Sequence, residues 1–318
     1  MSDAMLPASK PASAAVYKAG GVDLLDLMKE YLLQPARVVS VLNLPKMSSI
    51  TESKDGVSLG ALVTLAQLEA DQTLRQRYVA LAEAVAHAAT PQLRNAATLG
   101  GNILQRPRCW YFRNEHFQCL KKGGTKCFAN EPGAENKYHG IIGNQTCSAV
   151  HGSSVSTALV AYGAQVELQG PQGVRRVPLE SFFVRPEQDV RRETSILPGE
   201  LITEVLLPKP AAGTGAWYIK FGERESYDWA TADVAVVLEQ EGRRCHRASI
   251  VLGAAAPLPL RVPAAEAVLV GKPVTEETAR AAALAAVADA TPLEQNAYKV
   301  SVFQAIVRRA ILKAAGLS

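Results

Sequence analysis

The sequence predicts an α+β protein of two lobes, with a long loop inserted into the first. Three observations carry that reading. The chain has 318 residues, which at roughly 150 residues per domain makes about two domains, each long enough to bury a core. Short apolar runs of strand length alternate with helical patterns along most of it. Between residues 105 and 150 that regularity stops, in a stretch holding five glycines, and a loop this long inside a compact domain normally has a functional reason.

Residues 16–18 form a short apolar run that ends in Ala19-Gly20-Gly21. Residues 22–32 then space Leu24, Leu25, Leu27, Met28, Tyr31 and Leu32 as a helix does. RVVSVL at 37–42 reads as a strand closed by Pro45, and residues 56–61 as another, opened by Asp55-Gly56 and leading into a helix at 64–70. Residues 78–89 are alanine-rich and helical, stopping before Pro91. After the loop, residues 156–168 pass from helix to strand, and 174–178 and 201–207 read as strands, the last ended by Pro208 and Pro210. Residues 211–215 (AAGTG) suit a linker. Strands follow at 217–221, 232–239 and 248–252, then helices at 276–288, with Thr275 as N-cap, and at 299–314. The lobes are expected to be residues 1–210, with 105–150 inserted, and 216–318.

Composition removes several classes. Hydrophobic residues are 48% and charged residues 20%, unlike a disordered, collagen-like or coiled-coil chain. No apolar run approaches the roughly 18 residues of a membrane span. The first nineteen residues carry Asp3, Pro7, Lys10 and Pro11 but neither a signal-peptide core nor a twin arginine. The expectation is a cytoplasmic chain without membrane insertion, or a periplasmic one exported with a partner. The net charge of +4 is concentrated in the loop, where Arg106, Arg108, Arg113, Lys121, Lys122, Lys126 and Lys137 face only Glu115, Glu131 and Glu135. A nucleic-acid footprint would have to sit there.

Four of the five cysteines lie in the same loop. Cys109, Cys119, Cys127 and Cys147 are spaced by 10, 8 and 20 positions, and Cys245 stands apart. Disulfides require an oxidising compartment. Structural zinc usually shows closely spaced cysteine pairs, which are missing here. Iron-sulfur ligation needs four thiolates able to converge and leaves their spacing free when a long loop wraps the cluster. The loop's basic residues could offset the negative charge of such a cluster. Trp110, Tyr111, Phe112 and Phe117 would pack as its dry wall, although aromatics beside arginines could also stack on bases.

Gly20-Gly21 and Gly100-Gly101 form two glycine turns. Successive unpaired backbone N–H groups at a turn or helix N-terminus bind anions, so two such turns could grip one pyrophosphate. Neither fits the dinucleotide fingerprint or the P-loop. The histidines, His87, His116, His139, His151 and His246, are scattered and read as surface or packed side chains. No arrangement of nucleophile, histidine and acid is present, so no catalytic residue is assigned.

With these residues assembled, the chain resembles, along nearly its whole length, the FAD-binding medium subunit of the molybdenum hydroxylases, the xanthine dehydrogenase and aldehyde oxidoreductase family. The likeness rests on AGGVDLLDLMK at 19–29, GALVTLAQL at 60–68, TPQLRNAATLGGN at 90–102 and LPGELITEVLLP at 197–208. The C-terminal region is similar to the small lobe of CO dehydrogenase flavoproteins. The cysteine loop looks like the insertion that holds a 4Fe-4S cluster in some members.

The resemblance implies an FAD domain of the vanillyl-alcohol-oxidase (PCMH) type, with Ala19, Gly20, Gly21, Val22, Asp23 and Leu24 and then Thr98, Gly100, Gly101 and Asn102 on the FAD pyrophosphate. It implies Leu201 against the isoalloxazine, Lys220 near the flavin ring, and Cys109, Cys119, Cys127 and Cys147 on the cluster. It also implies partners, a molybdenum-cofactor large subunit and a 2Fe-2S small subunit, between which and an acceptor this chain passes electrons. Val22 stands where the family has a threonine, and Ser154 in His151-Gly152-Ser153-Ser154 where it has an aspartate. Two function classes follow: a redox subunit with FAD and 4Fe-4S, and a flavin-free iron-sulfur conduit or scaffold of the same kind of complex. A zinc-stabilised nucleic-acid-binding protein is a distant third.

Overall fold

The structure is a computed structural model that describes residues 15–224 and 227–317. Asp3, Pro7, Lys10 and Pro11, which entered the expectation about an export signal, lie outside them. Strand Val16–Lys18 pairs in parallel with Val38–Ser40, and helix Val22–Lys29 makes the crossover. That helix ends earlier than its periodicity predicts. Tyr31 takes a left-handed φ of 54°, and the amides of Leu32 and Leu33 fold back onto the Leu27 carbonyl.

A five-stranded antiparallel sheet follows, in the order Ile50–Ser53, Gly56–Gly60, Leu201–Pro208, Gln165–Gly170 and Gly173–Pro178. Its inward positions, among them Leu59, Val166, Leu168 and Val205, are fully buried. Ile50–Ser53 was not foreseen, because most of its side chains are exposed and leave little alternation to read. Helix Leu65–Ala70 begins with a capping box between Thr64 and Gln67.

The second lobe is a four-stranded antiparallel sheet, Leu260–Arg261, Arg244–Gly253, Ala232–Glu241 and Thr214–Phe221. Helices Pro263–Leu269 and Tyr298–Ala314 pack on it, and helix Glu276–Ala285 packs on those two helices. Strand Ala232–Glu241 is buried over its first seven residues because helix Ser154–Ala161 and helix Tyr298–Ala314 both pack against it. One hydrophobic core therefore runs through both lobes.

Two expectations change here. Residues 211–215 are not a free linker, since Thr214 and Gly215 already belong to a strand, and a Cβ on Gly215 would meet the Ala314 carbonyl at 1.9 Å. Gly100-Gly101 is not a turn but the first turn of helix Leu99–Ile103, capped by the Thr98 hydroxyl. The loop at 105–150 holds only short helical turns, Trp110–Arg113, Leu120–Lys122 and Phe128–Asn130. Among the described residues no helix is long and apolar enough to cross a membrane.

At Gly253 the packing between the lobes leaves no spare room. A Cβ on Gly253 would lie 1.7 Å from Asp233 Oδ1 and 2.4 Å from Thr157 Oγ1, and buried Asp233 is held by the Tyr218 hydroxyl at 2.7 Å. Gly253→Ala is expected to cost about 1–3 kcal/mol by overpacking, seen as a lower midpoint in denaturant unfolding. An unchanged midpoint would show that the seam yields freely.

Candidate functional site

A cavity of about 680 Å³ opens between the two lobes. One wall is the segment Ala19, Gly20, Gly21, Val22, Asp23 and Leu24; a second is Thr98, Gly100, Gly101 and Asn102; Leu201 and Lys220 also line it. The fold thus brings these separated stretches to one place. Gly20 explains the closeness, because a Cβ there would sit 1.8 Å from the Ala96 carbonyl, so only glycine lets the two segments touch. Gly21 is the N-cap of its helix at φ 79°, a left-handed geometry that favours glycine.

The two segments differ in what they offer an anion. The amides of residues 20–24 donate to no acceptor among the described residues. At the second segment the amides are spent: Gly100 donates to the Ala61 carbonyl at 2.8 Å, Gly101 to Thr98 Oγ1 at 3.3 Å and Asn102 to the Thr98 carbonyl at 2.8 Å. A symmetric grip by two sets of free amides is therefore replaced by a donor-rich first segment and a second segment that supplies shape.

Asp23 would repel an anion at that helix start, but it is turned away. Its Oδ1 accepts from Arg113 at 2.7 Å and pairs with Arg108 at 2.8 Å, and its Oδ2 accepts the Arg106 amide at 2.9 Å. Asp26 pairs with the same two guanidinium groups at 3.1 and 3.0 Å. Arg108 lines the cavity, stacks 4.6 Å from the Trp229 ring, and keeps a buried Nε without a partner. Burial lowers the Arg108 pKa, opposed by Asp23.

Elsewhere in the cavity, Asn102 Oδ1 accepts from Ser153 Oγ at 2.5 Å, and Ser154 stands in the wall. Lys220 donates to the His87 carbonyl at 2.9 Å and to the Asp228 carbonyl, and burial lowers its pKa. The donor-rich helix start, the unpartnered Arg108 Nε and the apolar surface around Leu201 fit an elongated ligand with a central pyrophosphate, as FAD is.

The cysteine loop is a second site on the other side of Arg108. Cys109, Cys119 and Cys127 each stand at the N-cap of a short helical turn. Burial pushes the Cys109 thiol up to about 12, opposed by the nearby Phe112 and Tyr111 amides; the charges of Cys127 and Cys119 raise it further. Cys147 lies against Cys127, and the contact between the two sulfurs lowers the Cys127 pKa and raises that of Cys147. The amides of Ser148, Ala129 and Asn130 also face Cys127. Among the described residues no group of three or more His, Cys, Asp or Glu is gathered tightly enough for a single metal ion. Cys245 lies fully buried in the second lobe, where its thiol donates to the Arg247 carbonyl at 3.3 Å.

Aromatic rings wall this site. Tyr111, Phe117 and Phe128 pack at 5.0 to 6.1 Å, and Trp110 contacts Tyr138 and His139. Most of the loop's cations are spent on protein carboxylates rather than left as free counter-charge: Arg106 and Lys121 grip Glu193, Lys126 pairs with Glu131, and Lys137 with Glu223, while Lys122 donates to the Asn114 carbonyl. Burial would raise the Glu193 pKa, but Arg106 and Lys121 outweigh it and hold it low. The C-terminal lobe pins residues 136–140, where Asn296 Nδ2 bonds the Asn136, His139 and Gly140 carbonyls and fully buried Lys299 bonds those of His139 and Ala254 at 2.9 and 2.6 Å.

Several of these residues were not singled out from the sequence. Lys299 had a signal, as it falls on the apolar stripe of its helix with Phe303, Ile306 and Ala310. Trp229 and Glu193 had none. His139 was grouped with the scattered histidines, yet it is buried with Nε2 3.2 Å from Cys109 Sγ. His151 is packed as expected, its ring 4.7 Å from that of Phe183, and burial pushes it down to about 4.

Comparison with known proteins agrees with this architecture. Residues 3–210 match the FAD binding domain in molybdopterin dehydrogenase, and residues 217–314 the CO dehydrogenase flavoprotein C-terminal domain. The aldehyde oxidoreductase FAD-binding subunit PaoB of Escherichia coli K12 is 35% identical over 90% of this chain and 87% of its own length. The carbon monoxide dehydrogenase medium chain of Hydrogenophaga pseudoflava is 30% identical over 94% and 88%. A solved structure of the Hydrogenophaga pseudoflava carbon monoxide dehydrogenase superposes with a TM-score of 0.73 at 31% identity, covering 95% of this chain and 90% of that one. With two family models and long relatives at 30% identity or more in agreement, the chain belongs to the FAD-binding medium subunits of the molybdenum hydroxylases.

Proposed function

We propose that this chain is the electron-transfer subunit of a molybdenum-cofactor oxidoreductase, carrying both FAD and a 4Fe-4S cluster. It would work beside a molybdenum-cofactor large subunit and a 2Fe-2S small subunit, as the relatives' names, a medium chain and a subunit of a dehydrogenase complex, suggest. The observation that carries the reading is the adjacency of the two sites: Arg108 lines the cavity and the next residue, Cys109, belongs to the cysteine site. When bound, the flavin handles one or two electrons and the cluster one, which is what such a subunit must couple.

The chain's own residues divide the work. The amides of residues 20–24 would hold the pyrophosphate, with the Asp23 charge absorbed by Arg108 and Arg113. Leu201 would pack against the isoalloxazine and Lys220 would lie near its edge. Cys109, Cys119, Cys127 and Cys147 would each hold one iron. Such a cluster spreads its ligands over several irons, so it asks for a looser gathering of thiols than a lone ion does. The N-cap amides and aromatic wall suit thiolates kept from water. We assign residues 1–210 to the flavin domain, with 105–150 inserted, and 216–318 to the C-terminal lobe.

Gly21→Val should weaken FAD binding about ten- to hundredfold, because a β-branched residue at that left-handed φ costs about 1–3 kcal/mol. Absorption spectra of the purified complex should lose the flavin bands and keep the broad iron-sulfur shoulder. Acid extraction of the unaltered complex that releases no flavin would favour the flavin-free conduit instead. A separate series addresses the cluster. Serine at Cys109, Cys119, Cys127 or Cys147 should bleach the iron-sulfur signal and lower stability, since ligand energy is partly folding energy, whereas Cys245→Ser should do neither. Metal analysis finding zinc without iron would end the cluster assignment.

A further inference from the structure

His139 stands apart from every other buried polar group around the cysteines. Its ring is buried and packs edge-on to Trp110, with centroids 5.4 Å apart, and Nε2 lies 3.2 Å from Cys109 Sγ. The other nitrogen, Nδ1, is buried and has no partner. The backbone on either side is immobilised: the His139 amide donates to the Asn136 carbonyl at 3.0 Å, and its carbonyl accepts from Lys299 at 2.9 Å and Asn296 at 3.1 Å. Residues from the far end of the chain thus hold this imidazole against one sulfur.

The chemistry of that contact follows from what each partner can offer. A sulfur bound to iron is a thiolate and has no proton to give, so the 3.2 Å contact requires the hydrogen on Nε2. A neutral ring then leaves Nδ1 as a bare acceptor, matching the nitrogen that lacks a partner, and leaving an acceptor unpaired avoids burying an unpaired N–H donor. Trp110 and Tyr111 pack against the ring, with centroids 5.4 and 6.0 Å from its own.

Resting on the cluster reading above, we propose that His139 is a positioning residue that sets the reduction potential of the cluster by donating Nε2–H to the Cys109 thiolate. Hydrogen bonds to cluster sulfurs stabilise the more negative, reduced state and so raise the potential. Of the four cysteines, Cys109 is the one that follows the cavity-lining Arg108 directly in the chain, so the bond falls on the ligand joined by one peptide bond to the cavity wall.

Redox titration of the intact complex, followed by the electron paramagnetic resonance of the reduced cluster, tests this. His139→Phe keeps a flat ring among the aromatics and removes the donor; His139→Gln keeps an N–H at comparable reach. The expected result is iron content unchanged in both, a midpoint shifted to more negative potential with altered g-values in the Phe variant, and most of that shift recovered in the Gln variant. A Phe variant with the unaltered midpoint would overturn the role of His139 while leaving the cluster in place. Loss of iron from the Phe variant with retention in the Gln variant would make the residue a requirement for assembly rather than a tuner of potential. Absence of iron from the unaltered complex would remove the cluster reading and this inference together.

Discussion

The ion-pair cluster of Asp23 and Asp26 with Arg108 and Arg113 is the constraint on which both candidate sites rest. All four side chains come from two short segments, the first helix and the start of the cysteine loop, and three of the four pairs lie within 3.0 Å or less. Drawing the acids toward the loop leaves the helix start with free amides and little negative charge facing the cavity. Drawing the arginines toward the helix fixes Arg108 in the cavity wall and, through the peptide bond, Cys109 behind it. Because Asp23 and Arg113 are mostly shielded from water, with 15% and 12% of their side chains exposed, removing one partner would strand a charge, which costs far more than an exposed pair contributes.

The rest of the loop is held by the same logic of long-range satisfaction. Glu193 takes Arg106 and Lys121 from the loop's outer side, and Asn296 and Lys299 take its backbone carbonyls from the C-terminal helix region. A buried ammonium is expensive unless it is hydrogen-bonded; Lys299 meets that requirement with main-chain carbonyls, and burial still draws it down to about 7. The loop thus has a protein scaffold of its own. Metal binding would complete that scaffold rather than create it.

The two departures from the family pattern acquire a physical setting. Val22 lies in the donor-rich segment that lines the cavity, where the main-chain amides of residues 20–24 donate to no acceptor among the described residues and do not depend on the side chain at 22. Ser154 lines the cavity next to the buried pair Tyr218 and Asp233, which belong to the second lobe. An acid is therefore present behind this wall, supplied from another part of the chain, although it faces Tyr218 and not the cavity.

Local patterns made much of this legible. Strand and helix periodicity placed most elements within a few residues, since burial of one face leaves a repeat of two or 3.6 in the residues themselves. The cysteines and glycines also stand out locally, because thiols and missing side chains have few structural substitutes. Short, exposed or irregular pieces such as Ile50–Ser53 left no such repeat. What the tertiary structure alone decided was which polar groups are used up: that amides at 100–102 are spent and those at 20–24 are free, that most of the loop's cations are paired with protein acids, and that Trp229, Glu193, Lys299 and His139 stand at the sites. The placement of Glu193, Lys299 and His139 depends on partners 30 to 161 residues apart in the chain, and a pairing across that distance leaves no spacing rule in either segment from which it could be read.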